Sequence, residues 1–310
     1  MRLLKKTGWL CCLLAPLVVQ AELASADTRH DTVVVQETPR IATVDWTVAE
    51  TLLALGVTPL AMGDVGSYRA WVDVPRLPAE VVDIGLRMQP NRELLAELKP
   101  DLILISPLMA SLEPTLSQIA PVKSITLYEP DTDLWQRLHE ATLTIAALVG
   151  KTTEAERQLA TLDRDLDQMK TQLPGDLPPL LLVQFIDERH VRVFGRHSLF
   201  DAVLQRLDLR NAWQGETNAW GFSVVSLEQF ISLPTARLVV IDPIPVGVSE
   251  RLQEPGLWQH LPLVKEGKVV HLPAVWSFGG LLAARRFADL LSEALQRESA
   301  SGLTTQGALQ

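Results

Sequence analysis

The sequence predicts an α/β fold in which two α/β lobes with mainly parallel sheets are joined by a single long helix. Three observations predict it. Short β-branched runs alternate with helical segments in the first half of the chain, the second half repeats the alternation, and a long amphipathic segment separates them. Such alternation is typical of parallel sheets with helices on both faces. We expect an N-terminal lobe at residues 27–150, a connecting helix at 151–174 and a C-terminal lobe at 175–310.

Composition supports this organisation. The chain has 310 residues, of which 47% are hydrophobic and 21% charged, and this globular composition excludes an intrinsically disordered protein. Single hydrophobic cores stop growing near ~250 to 300 residues, so two lobes are expected. The formal net charge of −9 argues against nucleic-acid binding, which requires a basic face.

The N-terminus has the pattern of a secretory signal peptide at residues 1–26. Basic residues precede an apolar run at 8–19 and a small-residue motif at 24–26, which favours cleavage after Ala26; residues 19–21 offer an alternative site. The apolar run is too short to span the ~30 Å hydrocarbon core of a bilayer. We therefore expect the mature chain to be exported and soluble.

Both cysteines, Cys11 and Cys12, lie within this leader, so the mature chain has no thiol. This excludes disulfides, cysteine metal ligands and a cysteine nucleophile. The alternative is a lipoprotein modified at Cys11. Residues 8–10 argue against it, because they lack the small side chain that lipoprotein processing requires next to the cysteine.

The predicted elements of the N-terminal lobe end at turn signals. Gly56 closes the first helix, and Lys99 followed by Pro100 stops the second. The predicted strands are residues 41–44, 102–105 and 125–127, and the predicted helices are residues 48–55 and 93–98. The C-terminal lobe repeats this alternation of strands and helices. Its predicted strands are residues 180–185, 191–194, 238–241 and 269–272, and its predicted helix is residues 198–207.

The longest predicted helix begins at Thr152, reaches Leu173 and is ended by Pro174 and Gly175. About 21 residues at 1.5 Å each give a rod of roughly 32 Å, the diameter of a small domain. The segment alone is equally consistent with a surface helix of one lobe, but its place between two α/β halves favours a rod that joins them. Its apolar stripe is formed by Ala155, Leu159, Leu162, Leu166, Met169 and Leu173.

Two exported lobes joined by one rod favour a ligand cleft between them, since domain interfaces are preferred small-molecule sites. Three segments make the prediction of a ligand cleft more specific. They are DIGLRMQPN at residues 83–91, NAWQGETNAWG at 211–221 and PAVW at 273–276. They strongly resemble the FhuD type of periplasmic ferric-hydroxamate siderophore-binding protein, which belongs to the helical-backbone class of binding proteins of bacterial ABC importers. The resemblance extends from about residue 40 to residue 298.

The resemblance implies two lobes bridged by one helix, with little closure on the ligand. It also implies a monomeric periplasmic carrier that captures a ferric hydroxamate siderophore and delivers it to an inner-membrane ABC permease with its ATPase, for iron uptake. Iron(III) is then carried inside the siderophore, so no cofactor is expected to bind the protein directly. The alternatives are a carrier of ferric citrate, a catecholate siderophore or a corrinoid, and an exported enzyme with the same cleft.

Arg87 is the first candidate ligand contact. It follows residues 85–86 and precedes the helix entry at Pro90. A planar guanidinium donates directed hydrogen bonds to the partly anionic oxygens of a ferric hydroxamate without competing for the metal. A surface salt bridge is the ordinary interpretation of a lone arginine, but the resemblance places the ligand-contacting arginine at this position.

Tryptophan is the second signal, with eight tryptophans against two tyrosines. Large rigid rings cover the carbon skeleton of a siderophore at low entropic cost. Core packing is the alternative for each ring, and the motifs favour Trp220 and Trp276 most and Trp46 least. The candidate lining residues are Trp46, Trp71, Trp220, Trp276, Tyr68 and Phe278.

The chain departs from the family pattern at two positions. The tyrosine that similar proteins have after residues 105–106 falls on Met109, and the ring after Trp276 is Phe278, which has no hydroxyl. Met109 packs flexibly against a ligand but cannot donate a hydrogen bond to it. We therefore expect recognition to depend more on Arg87 and on apolar contact, with a preferred siderophore other than the commonest one.

The resemblance also implies one acidic residue on each lobe that docks against arginines of the transporter. Glu113 is the candidate on the first lobe, although spacing from Met109 places the family's acid on Pro114. Spacing from Trp220 favours Glu228 on the second lobe. The alternative is that these exposed carboxylates serve only solubility.

No pattern predicts a metal site or catalysis. The six histidines show no i, i+4 pairing and no convergent set of ligands. The nucleophile-elbow, phosphate-loop and dinucleotide motifs do not occur in the sequence, and Asp187, Glu188 and His190 come nearest to an acid–base cluster. We expect neither a protein-held metal nor enzymatic activity.

Overall fold

The computed structural model describes residues 38–129, 132–233 and 235–307. The expected signal peptide, residues 1–26, lies outside the described residues, together with both cysteines. Within the described ranges, no helix combines the length and the apolar character needed to cross a bilayer.

The N-terminal lobe is built around a five-stranded sheet. In chain order its elements are β1 (Ile41–Thr43), α1 (Trp46–Ala54), β2 (Ala61–Met62), α2 (Val65–Trp71), β3 (Val82–Asp83), β4 (Gly85–Leu86), β5 (Gln89–Pro90), α3 (Arg92–Leu98), β6 (Leu102–Ile105), a 3-10 helix (Pro107–Leu112), α4 (Glu113–Leu116) and β7 (Val122–Ser124). The sheet order is β3-β2-β1-β6-β7 with parallel pairing throughout, and β4 and β5 form a separate antiparallel ribbon. The loops that follow parallel strands meet at one edge of the sheet.

Buried apolar strands and one helix cap stabilise the centre of this lobe. Ala42 of β1 pairs with Ala61 on one side and Ile103 on the other, and all three are fully buried because both faces of the sheet are covered. Asp45 follows β1 and is the N-cap of α1, where its carboxylate accepts hydrogen bonds from backbone N–H groups of the first helical turn. The strand-to-helix turn after β1 is therefore held by one side chain.

The rest of the chain completes the N-terminal lobe with one helix and then adds the connecting helix and a C-terminal lobe with a second five-stranded sheet. Its elements are α5 (Leu134–Leu148), α6 (Thr152–Gln172), β8 (Leu180–Phe185), β9 (His190–Phe194), α7 (Leu199–Arg206), β10 (Phe222–Ser226), a 3-10 helix (Leu227–Ser232), β11 (Arg237–Ile241), α8 (Val248–Gln253), α9 (Leu257–His260), α10 (Pro262–Lys265), β12 (Val269–Leu272) and α11 (Leu281–Gly307). The sheet order is β10-β9-β8-β11-β12, with β8, β11 and β12 parallel and an antiparallel extension through β9 and β10. The predicted two-lobe α/β fold is confirmed.

Helix α6 joins the two lobes, as the rod interpretation predicts. It packs against α5 on the N-terminal side and against α7 and α11 on the C-terminal side. The apolar stripe is buried from Ala155 to Leu166, and Met169 is partly buried against the same core. On the polar side, Asp163 accepts a hydrogen bond from the Trp135 indole of α5 at 3.0 Å and pairs with Arg206 of α7 at 3.3 Å. One helix is thus attached to both lobes by apolar and polar contacts.

One predicted strand is wrong. The sheet ends with β7, and residues 125–127 leave it as a loop. Ile125 and Leu127 are buried in the same core as Leu138 and Ile145 of α5. Their alternating pattern therefore reflects packing against a helix and not pairing with a strand.

The segment 276–280, which follows β12, is hydrogen-bonded to side chains of the N-terminal lobe. We call this segment and the three side chains that hold it the inter-lobe clasp. Its hydrogen bonds run from Thr47 Oγ1 to the Phe278 carbonyl at 2.6 Å, from the Tyr128 hydroxyl to the Gly279 carbonyl at 3.0 Å, and from the Gly280 N–H to the Glu50 carboxyl.

Glu50 is completely buried in the clasp. One carboxyl oxygen accepts the Gly280 N–H, and the other, Oε2, has no hydrogen-bond partner among the described residues. Burial raises the pKa of Glu50 to about 8, and the charge of Asp45 contributes to the rise. The folded protein therefore holds Glu50 largely in its neutral form at pH 7.

Glu50→Gln should remove a pH-dependent loss of stability. The unfolded chain releases the Glu50 proton near the ordinary pKa of 4.5, whereas the folded protein keeps it to about pH 8, so rising pH in this window favours unfolding. The melting temperature of the variant minus that of the wild type should increase across this window by roughly 5 °C or more. Thermal unfolding followed by circular dichroism at several pH values measures this difference.

Glu156→Gln is the matched control, because Glu156 is exposed on α6. Its melting-temperature difference from the wild type should stay constant over the same pH window. A constant difference for Glu50→Gln as well would mean that the buried carboxyl does not keep its proton.

Candidate ligand-binding site

A cavity of about 300 Å³ lies between the carboxyl edge of the N-terminal sheet and the C-terminal lobe. The loops after β1, β6 and β7, the turn between β4 and β5, and helices α1 and α5 line it from one side. Strand β9, the start of β10 and the segment 276–280 line it from the other. The wall is largely aliphatic and aromatic with a few convergent polar groups, which is typical of small-molecule sites. Its lining residues include Asp45, Arg87, Ser106, Arg192, Trp220 and Phe278.

Arg87 lies in the turn of the β4–β5 ribbon and is held from three sides. Its Nε donates to the Val44 carbonyl at 3.0 Å, and its Nη2 lies 3.5 Å from Asp45 Oδ2. The guanidinium carbon lies 4.5 Å from the centre of the Trp46 ring. Burial lowers the pKa of Arg87, and the charge of Asp45 opposes that shift. The result is a fixed cation on the cavity wall with N–H groups still able to donate to a ligand.

Asp45 links Arg87 to the rest of the N-terminal edge. Its Oδ1 caps α1 through the N–H of Thr47 at 2.9 Å, and its Oδ2 accepts the Ser106 hydroxyl at 2.6 Å. The carboxylate thus connects the loop after β1 to the loop after β6 and faces the arginine. Together with the Val44 carbonyl, this carboxylate directs the guanidinium.

The aromatic wall is centred on Phe278. Its ring centre lies 5.2 Å from that of Trp276, 5.5 Å from Trp220 and 5.8 Å from Phe222. Tyr128 lies 5.3 Å from Trp220, and burial raises the pKa of Tyr128 well above its usual value, so its hydroxyl remains a donor to the clasp. Trp220 and Trp276 pack edge-to-face against Phe278, and the other two pairs are tilted. These contacts hold the rings in place and present carbon surface to the cavity.

Arg192 carries a second guanidinium on the wall, which the sequence motifs do not predict. It lies on β9 directly opposite Gln184 of β8, to whose Oε1 its Nη1 donates at 3.3 Å. Its guanidinium carbon is 5.7 Å from the Phe222 ring and 5.9 Å from the Trp71 ring. The one available signal was a charged residue between two buried valines, Val191 and Val193, in a predicted strand.

Arg87, Trp220, Trp276 and Phe278, four of the predicted lining residues, lie on the cavity wall. Trp46 instead lies behind Arg87: it is 4% exposed and donates its indole N–H to the Gly63 carbonyl at 2.9 Å. Trp46 therefore supports the arginine without lining the cavity.

Three other expected lining residues lie off the wall. Tyr68 is fully buried and its hydroxyl donates to the Pro75 carbonyl at 3.0 Å, so it is a core residue. Trp71 is partly buried, is not among the residues of the wall, and has the Arg192 guanidinium carbon 5.9 Å from its ring. Met109 is 1% exposed because the 3-10 helix after β6 turns it into the core, and Leu108, 51% exposed, lines the cavity in its place.

The two expected docking acids are exposed and lie outside the cavity wall. Glu113 begins α4 on the N-terminal lobe. Glu228 lies in the 3-10 helix after β10, with Arg189 Nη2 3.6 Å from its carboxylate. A hydrogen bond from the Ser226 hydroxyl, more than the charge of Arg189, lowers the pKa of Glu228. Both are therefore available to a partner that approaches from solvent.

A wider depression of about 920 Å³ lies on the C-terminal lobe. All of its lining residues in the described chain come from that lobe, and Trp213 is among them. A β-carbon at Gly195 or Gly215 would lie 2.7 Å from the Trp213 ring, so this ring packs tightly against its own lobe. The cavity lined by both lobes is the better candidate site.

Residues that could hold a metal do not converge in the described ranges. Across residues 38–129, 132–233 and 235–307, no group of three or more histidine, cysteine, aspartate or glutamate side chains could bind an ion. His190 Nδ1 lies 3.0 Å from the Asp187 carboxylate, but both side chains are exposed and outside the cavity. The cavity is suited to a ligand that presents oxygens and carbon surface.

The chain is similar to known siderophore-binding and iron-binding transport proteins. The iron(3+)-hydroxamate-binding protein FhuD of Escherichia coli K12 is 34% identical over 284 residues, which cover 91% of this chain and 95% of the relative. The Fe(3+) dicitrate-binding periplasmic protein FecB of the same organism is 27% identical, over 88% of this chain and 90% of the relative. The crystal structure of the siderophore-binding protein FhuD from Vibrio cholerae with Fe3+ and Desferal matches with a TM-score of 0.79 and 29% identity, over 83% of this chain and 98% of that chain.

The likeness to the Escherichia coli FhuD protein extends over 91% of this chain and therefore over both lobes. The expectation of a FhuD-like binding-protein fold is therefore confirmed. Residues 41–275 also match the family described as periplasmic binding protein, from β1 to the loop after β12. The chain belongs to the periplasmic binding protein family.

Proposed function

We propose that this protein captures a ferric hydroxamate siderophore in the periplasm and delivers it to an inner-membrane ABC transporter for iron uptake. The observation that carries the proposal is the position of Arg87, a fixed guanidinium on the wall of an otherwise aromatic and aliphatic cavity between the lobes. The 34% identity to the hydroxamate-binding protein of Escherichia coli supports the same ligand class.

The chemistry of the cavity wall suits a metal ion that is already chelated by an organic ligand. Arg87 donates to hydroxamate oxygens that share their charge with iron(III), and charge-assisted hydrogen bonds of this type are among the strongest in proteins. The rings around Phe278 cover the carbon skeleton of the chelate. The siderophore already supplies all the metal ligands, so the carrier requires no cofactor and no catalytic residue.

A carrier of another ferric chelate is the second candidate. Two guanidiniums on opposite sides of one cavity, Arg87 and Arg192, favour a more anionic ligand than a neutral hydroxamate. The likeness to the dicitrate-binding protein of Escherichia coli points in the same direction. Ferric dicitrate therefore belongs in any panel of tested ligands.

Arg87→Ala should lower the affinity for a ferric hydroxamate by about ten- to a hundred-fold, since one charge-assisted contact is worth ~1.5 to 3 kcal/mol. The affinity is measured from the quenching of tryptophan fluorescence on titration with ferrichrome and with ferric desferrioxamine B. Arg92→Ala removes an exposed arginine from α3 and should bind as the wild type does.

Melting temperatures separate lost binding from lost folding, because Arg87→Ala also leaves the Asp45 carboxylate without its cation. Arg87→Lys keeps the charge but not the planar donor array, and should have intermediate affinity. Unchanged affinity of a folded Arg87→Ala variant would remove the main support for the proposed function.

Glu113 and Glu228 are proposed to dock the loaded carrier, one on each lobe, against arginines of the permease. Charge reversal of both, Glu113→Lys with Glu228→Lys, should lower transporter-dependent uptake of the radiolabelled chelate several-fold because like charges then face each other. Glu156→Lys on α6 is the matched control. The chelate affinity of each preparation is measured alongside, and full uptake by the double variant would reject these two residues as the docking pair.

Residues 1–26 are proposed to direct export and to be removed. The protein isolated from a periplasmic extract should then begin at Asp27, which N-terminal sequencing or intact mass measures directly. A lipid-modified chain beginning at Cys11 would instead identify a lipoprotein.

A further inference from the structure

Strand pairing fixes the position of Arg192 in the cavity. Arg192 of β9 is directly opposite Gln184 of β8 and Val224 of β10. Residues directly opposite in neighbouring antiparallel strands project from the same face of a sheet. Arg192 therefore projects from the middle of a three-strand row, and its lining of the cavity follows from the register of the sheet.

The charge of Arg192 has no carboxylate partner within the described ranges. Its polar contact is the neutral amide of Gln184, and its other neighbours are the faces of Trp71 and Phe222. Arg87, on the opposite wall, has Asp45. Removing a guanidinium from water without an anion costs free energy, and burial accordingly lowers the pKa of Arg192.

An anion from the ligand would compensate this cost. If the proposed function is correct, the iron-binding oxygens of the chelate lie against Arg87, on the N-terminal wall. Arg192 lies on the C-terminal wall, beside Phe222 and within the same cavity. A second anionic group of the same ligand, separate from the oxygens at Arg87, fits this arrangement.

We propose that Arg192 is a specificity-determining residue that binds a carboxylate on the outer skeleton of the siderophore, so that the carrier prefers carboxylate-bearing ferric hydroxamates to neutral ones. This inference rests on the proposed function. A guanidinium binds a carboxylate through two parallel N–H groups, and Gln184 orients the group by occupying one donor.

Two matched ligand pairs test the proposal. Ferric desferrioxamine B with its terminal amine acetylated is neutral at that end, and the succinylated form carries a carboxylate on the same chelate. Ferrichrome and its tricarboxylate analogue ferrichrome A form a second pair on another skeleton. The wild type should bind the carboxylate member about ten-fold more tightly in a pair that fits the cavity, and added salt should reduce the preference.

Arg192→Gln should bring the ratio of the two affinities close to one, and Arg192→Lys should keep part of the preference. Arg196→Gln, an exposed arginine on the same lobe, is the control for net charge and should keep the wild-type ratio. A purely structural role for Arg192 between Trp71 and Phe222 would instead lower both affinities equally and leave the ratio intact.

The outcomes separate this inference from the function on which it rests. If neutral ferric hydroxamates bind but no pair shows a carboxylate preference, the assignment of Arg192 is wrong and the proposed function stands. If the preference exists but Arg192→Gln retains it, the carboxylate is bound elsewhere. If none of the four chelates quenches tryptophan fluorescence, the proposed function itself fails.

Discussion

The attachment of the segment 276–280 to the N-terminal lobe is the constraint on which the cavity depends. Three backbone groups of this segment are bonded by side chains from α1 and from the loop after β7. A β-carbon at Gly279 would collide with that of Ala283 and approach the Glu50 carboxyl, so the close approach requires glycine. Because Trp276 and Phe278 lie in the same segment, the bonds that join the lobes also place the aromatic wall.

The helical layer gives this attachment a rigid frame. Helix α6 contacts helices of both lobes, and α11 packs against α1 and α5 as well as against α7. Arg285 of α11 forms an ion pair with Asp165 of α6. Moving the lobes apart would break apolar packing, ion pairs and the clasp together. A site held in this way is largely formed before the ligand arrives, which reduces the ordering cost of binding.

The two guanidiniums show how the surroundings of a charge determine its use. Arg87 is paired with Asp45, bonded to a backbone carbonyl and packed on Trp46, so its direction is set by the protein. Arg192 contacts the Gln184 amide and two aromatic rings, and no carboxylate pairs with it in the described part of the chain. Its charge is therefore less compensated by the protein than the charge of Arg87. A cation that is already paired, such as Arg87, suits a hydroxamate oxygen whose negative charge is shared with iron(III). A cation without a carboxylate partner, such as Arg192, suits a ligand carboxylate that carries a whole negative charge.

The two α/β lobes, the helix between them and the motifs that contain Arg87, Trp220 and Trp276 could all be predicted from the amino-acid sequence. Periodicity and composition report local structure and burial, and motifs report positions along the chain. Which side chains share the cavity wall depends instead on contacts between distant segments of the chain. The 3-10 helix after β6 turns Met109 into the core and leaves Leu108 exposed on the cavity wall. The Tyr68 hydroxyl is hydrogen-bonded within the core. Arg192 lines the cavity because of the register of three neighbouring strands. These contacts join residues far apart in sequence, and a local pattern contains no information about such distances.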